Sequence, residues 1–511
     1  MFSIRISRTS AVRAAAAVAV TAMVSSTVGC GGSTPAATRS PTAEPGAQSA
    51  GDPLFAYLGN GGYDVGSYDV RYDYRSGRTK MNASVRIEAV ATQALSSFSL
   101  DAAVERIDAV TVAGRRAAFR VSGEKLLVTP EQVLPQGRSF RVEVSFRVDR
   151  SANPQSPAFP PGEEPHRTAW VGKDDGFAVL GQPDRAHMFF PSNDHPSAKA
   201  KVTFRITVPR GLQAVANGTL RSREEKAGRV TYTFTTRDPI PTHVVQAAVG
   251  RFTLIKGTGP GGMPLRSYVA TGQAAKTRRL VDGIPAQMAW LEKHLGPYPF
   301  ETYGVLGVPG DYNGVALETA TISTHAVQSL TGTDPEGRVT KEAMQDDAIT
   351  MMHELAHQYF GDAVAVRDWN QMWISEGHAE FYQVLYAVEK GYRDLDDPGR
   401  GLRARYEFDG EKRVESGPPG NMKHARDVLV GTNTAGLLML FGLRELVGEA
   451  TFQRIEKSFF SEFKGRSAGT EDYIKVANRV SGKDLTGYIN SWIYDTTTPR
   501  MPGHPDWKPT R

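Results

Sequence analysis

The stretch "TMMHELAHQYFGD", from Thr350 to Asp362, contains the motif from which we predict the fold and the functional site. It places His353 and His357 four positions apart, with Glu354 beside the first histidine. On an α-helix, side chains at positions i and i+4 project from one face, so both imidazoles can bind a single ion. Zn²⁺ accepts such nitrogen ligands. The alternative is a helix that carries two surface histidines and an acid without any metal.

A third ligand has to come from outside this helix, because a catalytic zinc normally takes three protein ligands and keeps its fourth position for water. We assign it to Glu376 in "DWNQMWISEGHAEFYQ", nineteen positions after His357. This spacing allows the first helix to end near Gly361 and a second helix to begin near Ser375, which we expect to be its N-cap. Glu380, one turn further on, is expected to support the site without binding the metal.

Glu354 is predicted to act as a general base and not as a ligand. It would take a proton from the zinc-bound water, whose pKa the ion lowers to about 7, and pass that proton to the leaving amine. The HExxH pattern alone is only suggestive. The matching downstream glutamate and the apolar helix around the motif favour the zinc site over two surface histidines.

The sequence before this region predicts β-structure. From about Leu54 to Phe252, apolar and polar residues alternate, as in "FRVEVSFRV" (Phe140 to Val148), "KVTFRITV" and "RVTYTF". Turn residues such as Gly114, Gly218 and Gly228 separate these runs. Many short alternating strands separated by turns indicate an antiparallel sandwich or saddle.

After about Ile255 the hydrophobic period changes. "AQMAWLEKHLG", "EFYQVLYAVEKGY" and "GLLMLFGLRELVG" place apolar residues three and four apart, as amphipathic helices do. We therefore predict an α+β protein with an N-terminal antiparallel β-sandwich or saddle domain and a mainly helical second domain. The expected divisions are a signal peptide at 1–29, a lipidated cysteine and flexible tether at 30–53, the β-domain at 54–254 and the helical domain at 255–511.

The first thirty residues are typical of an export signal. Three arginines precede the apolar stretch "AAAAVAVTAMV", which is too short to span a bilayer as a helix. Cys30, the only cysteine of the chain, ends "TVGC", which resembles a bacterial lipobox. An unpaired thiol present by chance is the alternative. A single cysteine excludes an internal disulfide, and the Gly-, Ser-, Thr- and Pro-rich residues 31–53 are predicted to form a flexible tether.

The composition of the whole chain, with 40% hydrophobic and 23% charged residues, is that of an ordinary globular protein. The formal charge of +5 falls to +2 without the three arginines of the leader. Because no Lys/Arg run occurs elsewhere, nothing favours nucleic acid as a partner. We expect a monomer.

Several motifs together resemble the aminopeptidase N family of gluzincin metallopeptidases, whose pattern is HExxH, eighteen residues, then Glu. They include "GQPDRAHMFFPSNDHPSAKA", "AVANGTL", "VALET", "HELAHQYFGD" and "SGKDLTGYINSWIYDTTTP", in the family's order along most of the chain. The resemblance implies a β-saddle domain followed by a thermolysin-like catalytic domain that binds one Zn²⁺ per chain. It also implies a peptide substrate and aminopeptidase activity.

The resemblance assigns substrate-binding residues. The family's GAMEN strand matches "VALET" (Val315 to Thr319), so Glu318 is similar to the carboxylate that holds a peptide's free α-amine. A fixed anion near the zinc would select an ammonium group and enforce cleavage one residue from the N-terminus. Gln182 resembles the family glutamine that lines the same end of the cleft. The alternative for Glu318 is a solvent-facing acid on an edge strand.

One departure from the family concerns the oxyanion. The family has a tyrosine three residues before a glycine that opens a core helix. Here Gly436 is that glycine, and Asn433 takes the place of the tyrosine. Losing an oxyanion donor costs roughly 3 kcal/mol. We expect Asn433 to take this role, with His424 as an alternative and Tyr406 as another if the intervening loop folds back. If none of them does, the enzyme is expected to be slow.

The sequence therefore predicts an exported zinc aminopeptidase, anchored by lipid on Cys30 to the outer face of a bacterial cell membrane. Two alternatives remain open. One is a zinc metallopeptidase without strict N-terminal specificity. The other is a catalytically weak envelope lipoprotein that binds peptides on the same fold, although a pure binder has no need for a general base such as Glu354.

Overall fold

The computed structural model describes residues 42–152, 157, 169–172, 176–310, 316–429 and 431–508. The predicted signal peptide and Cys30 lie outside these residues. The part of the chain from Ala43 onward forms one compact unit. Among the described residues, no helix is both long enough and apolar enough to cross a bilayer.

An eight-stranded sheet dominates the N-terminal half, and its strands bury alternate side chains as the period of two predicts. Across the sheet the strands are Thr219–Lys226, Arg229–Thr235, Lys201–Pro209, Tyr63–Asp73, Lys80–Ala91, Ser139–Asp149, Arg106–Val112 and Arg115–Arg116. Lys201–Pro209 runs parallel to Tyr63–Asp73, and the other neighbours are antiparallel. The sheet is therefore mixed and not purely antiparallel. The more than one hundred residues between these two strands provide the long crossover that a parallel pair requires.

A four-stranded sheet packs with it and contains Glu44–Pro45, Leu95–Asp101, Lys125–Thr129 and Ala118–Ser122, in that order. Two short antiparallel pairs complete this half: Trp170–Val171 with Ala178–Val179, and Gln213–Ala216 with Ala247–Gly250. The fold class predicted from the sequence is confirmed.

The prediction of a flexible tether up to residue 53 is wrong for residues 43–53. Glu44–Pro45 pairs as a strand with Leu95–Asp101, and Asp52 is 2% exposed. The Asp52 carboxylate accepts hydrogen bonds from the backbone N–H groups of Leu54 and Phe55, at 2.8 Å each, and of Trp369, at 2.9 Å. Composition predicted disorder because this segment has little apolar surface of its own. Hydrogen bonds to distant parts of the chain hold it in place.

The C-terminal half begins with a five-stranded sheet of Phe252–Thr258, Pro264–Ala270, Val305–Val308, Ser323–Ala326 and Ala316–Leu317. A short parallel pair, Ala365–Val366 with Ser467–Ala468, joins distant loops. The helices are α1 Ala274–Val281, α2 Ile284–Leu295, α3 Lys341–His357, α4 His378–Glu389, α5 Leu402–Ser416, α6 Thr432–Val447, α7 Glu449–Phe463, α8 Thr470–Ser481 and α9 Thr486–Tyr494.

The bounds of α3 follow from its caps. Thr340 opens the helix, because its hydroxyl accepts a hydrogen bond from the Ala343 N–H at 3.0 Å. The helix ends at His357, slightly before the predicted end near Gly361, where φ is +125°. A π-helical turn, Trp373–Gly377, then leads into α4. Ser375 lies inside this turn, so the prediction that it caps a helix is wrong.

The two halves of the compact unit touch close to the quoted motif. The half-buried Lys199, from the β-sheet half, donates from its ammonium to the backbone carbonyls of Asp362 at 2.9 Å and Ala363 at 2.7 Å. Burial lowers the pKa of Lys199 to about 8. The loop after α3 is thereby fixed against the N-terminal half.

Candidate active site and metal centre

Three side chains that the sequence singled out as ligands meet at one point. The Nε2 atoms of His353 and His357 lie 3.0 Å apart, and Glu376 Oε2 lies 3.5 Å from the first and 3.8 Å from the second. The two histidines come from the last turns of α3, and Glu376 comes from the π-helical turn before α4. Each residue offers one ligand atom to a common centre.

This donor set fits zinc. Ligands about 2.0–2.1 Å from a tetrahedral zinc lie about 3.3 Å from one another, close to the three separations observed. Two imidazole nitrogens and one carboxylate oxygen are also the donor types that a catalytic zinc uses, with the fourth position left for water or substrate.

Hydrogen bonding behind His357 prepares it for the metal. Its Nδ1 lies 3.2 Å from the Phe360 carbonyl and 3.0 Å from Ser375 Oγ. A carbonyl oxygen can only accept, so Nδ1 carries the proton and Nε2 keeps the lone pair that a metal needs. The serine that was expected to cap a helix therefore orients a metal ligand.

The two histidines differ in their proton affinity in the metal-free protein. Burial lowers the pKa of His357 to about 4, so this imidazole is neutral. Burial also acts to lower the pKa of His353, but the hydrogen bond to Glu376 and the charges of Glu354, Glu376 and Glu380 outweigh it and raise that pKa to about 9. A metal must therefore displace a proton from His353 at neutral pH.

Glu354, the predicted base, is buried on α3 beside the ligands. One of its carboxylate oxygens, one of Glu318 and a ring nitrogen of His357 all lie within 4.8 Å of one another. Glu318 follows the edge strand Ala316–Leu317 and is 3% exposed, so it does not face solvent. Gln182 Nε2 donates to Glu318 Oε1 at 2.6 Å. The structure thus brings the predicted base and both predicted substrate-binding residues together.

Glu380 stands behind the other histidine. Its Oε2 lies 3.7 Å from His353 Nδ1 and accepts a hydrogen bond from Gln383 Nε2 at 2.6 Å. Its Oε1 accepts a short hydrogen bond from Arg405 Nη1. Glu380 therefore has the supporting position that the sequence predicted, and Arg405 is a partner that the sequence did not indicate.

Asn433 lies in the first turn of α6, beside a cavity that also borders α3, α4 and α5. Its Oδ1 accepts a hydrogen bond from the Thr434 N–H at 2.8 Å. The first turn of α6 lies near Glu376 because the backbone of α6 at Gly436 packs directly on the π-helical turn at Gly377. A Cβ on Gly436 would lie only 2.6 Å from Gly377 Cα, so the close approach depends on glycine. The role of Asn433 towards an oxyanion stays a prediction.

The two alternatives to Asn433 have other positions. Tyr406 is a buried residue of α5, and its hydroxyl donates to the Pro499 carbonyl at 3.0 Å, so the phenol is engaged away from the three ligands. His424 is exposed and precedes a short 3₁₀-helix, Ala425–Asp427. No contact recorded for the described residues joins either side chain to the three ligands.

A two-part fold with this ligand set and an adjacent glutamate base defines the class of zinc metallopeptidases. Two family models match the chain: the Peptidase M1 N-terminal domain over residues 65–244 and the Peptidase family M1 domain over residues 281–492. The chain therefore belongs to peptidase family M1, and its cofactor is the single Zn²⁺ of that family. The predicted family, enzyme class and cofactor are confirmed.

Curated relatives are longer than this chain. Aminopeptidase M1-D of Oryza sativa subsp. japonica is 26% identical over 337 residues, which cover 62% of this chain and 37% of the relative. Leucyl aminopeptidase of Saccharolobus solfataricus is 24% identical over 348 residues, which cover 65% of this chain and 42% of the relative. The matched region thus spans about two fifths of the length of these relatives.

A solved structure of similar extent also exists. The M1 zinc metallopeptidase of Deinococcus radiodurans, as a variant bound to a Tyr-Ser-Ala substrate, superposes with a TM-score of 0.75 at 28% identity. The match covers 90% of this chain and 100% of that one. The full length of that solved chain therefore has the same arrangement of a β-sheet half followed by a helical half.

Sequence reasoning missed Ser375 as a partner of His357, Arg405 as a partner of Glu380, and Asp52 as a link to the loop at Trp369. Ser375 is adjacent to the ligand Glu376, so a polar residue there was a usable signal. Arg405 and Asp52 gave no such signal, since their partners lie 25 and 317 positions away.

Proposed function

We propose that this protein is a zinc aminopeptidase that removes residues from the N-terminus of peptides. The observation that carries the proposal is the position of Glu318, buried within 4.8 Å of Glu354 and His357 and hydrogen-bonded to Gln182. A carboxylate fixed there favours the ammonium group of a free N-terminus over a neutral amide. The scissile bond is then the first peptide bond of the substrate.

Bound zinc supplies a Lewis acid that polarises the scissile carbonyl and lowers the pKa of water. His353, His357 and Glu376 hold it. Glu354 takes the proton from the attacking water and gives it to the leaving amine. Glu318 and Gln182 fix the substrate amine, which places the first peptide bond next to Glu354.

The test is the hydrolysis of one short peptide in two forms, with a free and with an N-acetylated N-terminus, by the zinc-loaded protein. Glu354→Gln provides the blank. Cleavage of the free form alone supports an aminopeptidase. Cleavage of both forms at similar rates would favour a metallopeptidase without strict N-terminal specificity. If neither form is cut across several sequences, the protein is a peptide-binding relative with weak or no turnover.

Glu318→Gln separates the role of the amine site from that of the base. The substitution removes the negative charge and retains the size and one hydrogen-bond acceptor. We expect kcat/KM for the free peptide to fall by roughly tenfold to a hundredfold, as for the loss of a hydrogen bond to a charged group. Any residual cleavage of the acetylated peptide should stay unchanged.

We also propose that the protein is exported and anchored through lipid on Cys30. The support is the sequence alone: the three arginines, the short apolar stretch and "TVGC". Expression with a labelled fatty acid in a bacterial host tests this, with Cys30→Ala as the control. Label that is retained in Cys30→Ala, or a mature protein that still contains the leader, would reject the proposal.

A further inference from the structure

Glu318 is the first residue of a hairpin loop, residues 318–322, that connects the strands Ala316–Leu317 and Ser323–Ala326. The two strands are antiparallel, with Leu317 opposite Thr324. All five residues of the loop are buried. The position of the Glu318 carboxylate therefore depends on how this loop is held by the groups packed around it.

Thr321 gives the loop an unusual backbone conformation. Its φ is +67°, in the left-handed region that β-branched residues rarely adopt. Two other non-glycine residues of the described chain have a positive φ, Ala113 and Ala227, and both lie in exposed turns, whereas Thr321 is fully buried. Such a conformation persists only where the surrounding structure fixes it. The shape of the loop is therefore imposed by its neighbours.

Gln358, the residue directly after the zinc ligand His357, is one of these neighbours. Its Oε1 accepts a hydrogen bond from the Thr321 N–H at 2.7 Å, and its Nε2 donates to the Glu318 carbonyl at 3.1 Å. Because a backbone N–H can only donate and a carbonyl can only accept, these partners fix the orientation of the amide. The Tyr298 hydroxyl donates to the same Oε1 at 3.1 Å. One amide therefore holds the loop at two points.

The backbone of Gln358 still has helical geometry, with φ −60° and ψ −27°, and its N–H donates to the Leu355 carbonyl at 3.2 Å. Its side chain is fully buried. Since His357 is the preceding residue, a single side chain connects the helix that carries two zinc ligands with the backbone of the proposed amine-binding residue.

The N-terminal half holds the other side of the loop through the motif "AVANGTL". The Gly218 N–H donates to Thr321 Oγ1 at 2.7 Å, and Asn217 Nδ2 donates to the Ala320 carbonyl at 2.6 Å. Gly218 has a φ of +76°, and a Cβ there would lie 2.1 Å from the Thr235 carbonyl oxygen, so this approach requires glycine. The loop is therefore clamped between α3 and the β-sheet half.

We propose that Gln358 and Thr321 are positioning residues that set the distance between the Glu318 carboxylate and the zinc ligands. The inference rests on the proposed aminopeptidase function and specifies how its amine selection is built. The left-handed Thr321 directs its N–H to Gln358 and its hydroxyl to Gly218. When either contact is lost, the strained loop relaxes and Glu318 shifts, so that a substrate amine no longer places the first peptide bond next to Glu354.

The test measures the binding of two inhibitors and does not require turnover. They are leucine hydroxamate, which has a free amine, and N-acetyl-leucine hydroxamate. Both bind zinc through the hydroxamate group, and only the first presents an ammonium group to Glu318. The ratio of their dissociation constants on the zinc-loaded protein, measured by calorimetry, therefore reports the selection of a free amine.

Gln358→Met removes both hydrogen bonds of the amide and retains the length of the side chain. We expect the preference for the free amine to fall about tenfold, with the affinity for the acetylated hydroxamate unchanged. Thr321→Val, which removes only the hydroxyl of the loop residue, is the second variant and should lower the preference in the same direction. Glu318→Gln gives the reference value without the carboxylate charge.

Each variant has a matched control. Gln287 is also buried and donates from Nε2 to a backbone carbonyl of α3, that of Ala348, at 2.7 Å, so Gln287→Met controls for Gln358→Met. Thr207→Val removes a hydroxyl that lies 2.8 Å from Thr231 Oγ1 in the large sheet and controls for Thr321→Val. Both controls should keep the wild-type preference even where they lower the stability of the protein.

An unchanged preference in folded Gln358→Met would overturn the inference, and if that variant does not fold, the same result in Thr321→Val would do so. An equal loss of affinity for both hydroxamates would also overturn it, because the residues would then act only through the structure of the zinc site. If the wild type shows no preference for the free amine, the proposed amine site fails and the inference fails with it. A preference in the wild type that both variants retain rejects the inference alone.

Discussion

Gln182 and Glu318, 136 positions apart in the chain, meet through a hydrogen bond of 2.6 Å at the edge of the zinc site. Both side chains are buried, and one comes from each half of the molecule. The hydrogen bond fixes the direction in which the Glu318 carboxylate points. We propose that the selectivity of the site for a free amine depends on this contact between the two halves and not on either half alone.

Replacing the glutamine should weaken amine selection. In Gln182→Ala the Glu318 carboxylate loses a donor, and hydrogen bonds to charged groups contribute about 1.5–3 kcal/mol. We expect kcat/KM for peptides with a free N-terminus to fall by about tenfold, with most of the change in KM. Gln136→Ala, at an exposed glutamine, is the control and should behave as the wild type. Equal kinetics of the two variants would contradict the role assigned to Gln182.

Ser375→Ala should weaken zinc binding without removing any ligand. It deletes the hydroxyl that lies 3.0 Å from His357 Nδ1. Loss of such a partner behind a metal-bound histidine typically costs tenfold to a hundredfold in affinity, so a chelator competition should show a shift of about that size. Ser461→Ala, at an exposed serine of α7, should leave the zinc affinity unchanged. An unchanged affinity in Ser375→Ala would show that the Phe360 carbonyl suffices to orient the ring.

Zinc uptake should depend on pH through His353. Its pKa in the metal-free protein is raised to about 9, so the imidazole is protonated at neutral pH and zinc has to displace that proton. The affinity should therefore rise about tenfold per pH unit between pH 6 and 8 and level off above pH 9. Calorimetry in two buffers of different ionisation enthalpy should show the release of about one proton per zinc at pH 7. An affinity that does not change between pH 6 and 8 would contradict this assignment.

Asp52→Ala should destabilise the protein although Asp52 precedes the large sheet and lies far from the metal ligands in sequence. The carboxylate accepts hydrogen bonds from three backbone N–H groups, and its Oδ2 also lies 3.2 Å from His195 Nε2. These contacts hold the pKa of Asp52 below its usual range despite its burial, which by itself would raise it. We expect the free energy of unfolding to fall by about 2–3 kcal/mol, measured by denaturant titration. Asp64→Ala, at an exposed position, should change it by less than about 0.5 kcal/mol.

Local patterns accounted for the fold class and for the metal centre. Alternation with period two predicted the strands, and apolar spacing of three and four predicted the helices, because both depend on neighbours a few residues away. His353, Glu354 and His357 share one helix face for the same reason. Glu376 could be assigned because its nineteen-position separation from His357 leaves room for the first helix to end and for a loop to return a carboxylate to it.

The same local reasoning failed at Ser375 and at residues 43–53. The polar residue before Glu376 predicted a helix cap, but the chain enters α4 through a π-helical turn and the hydroxyl is directed to His357. The composition of residues 43–53 predicted a flexible segment, but Asp52 is held by the Trp369 N–H, 317 positions away. Neither partner can be found from the neighbouring sequence.

The sequence by itself indicated the order of strand and helix regions and the placing of His353, Glu354 and His357 on one helix, since these depend on spacing within one or two turns of chain. It offered Glu376 as the third ligand through a separation of nineteen positions from His357. Only the tertiary structure decided that Gln182 holds Glu318, that Ser375 orients His357 and that Arg405 faces a cavity beside the zinc helices. These contacts join segments that local propensity does not connect. They form because the packing of the two halves and of helices α3 to α6 buries polar groups, which must then find partners with one another or with a ligand.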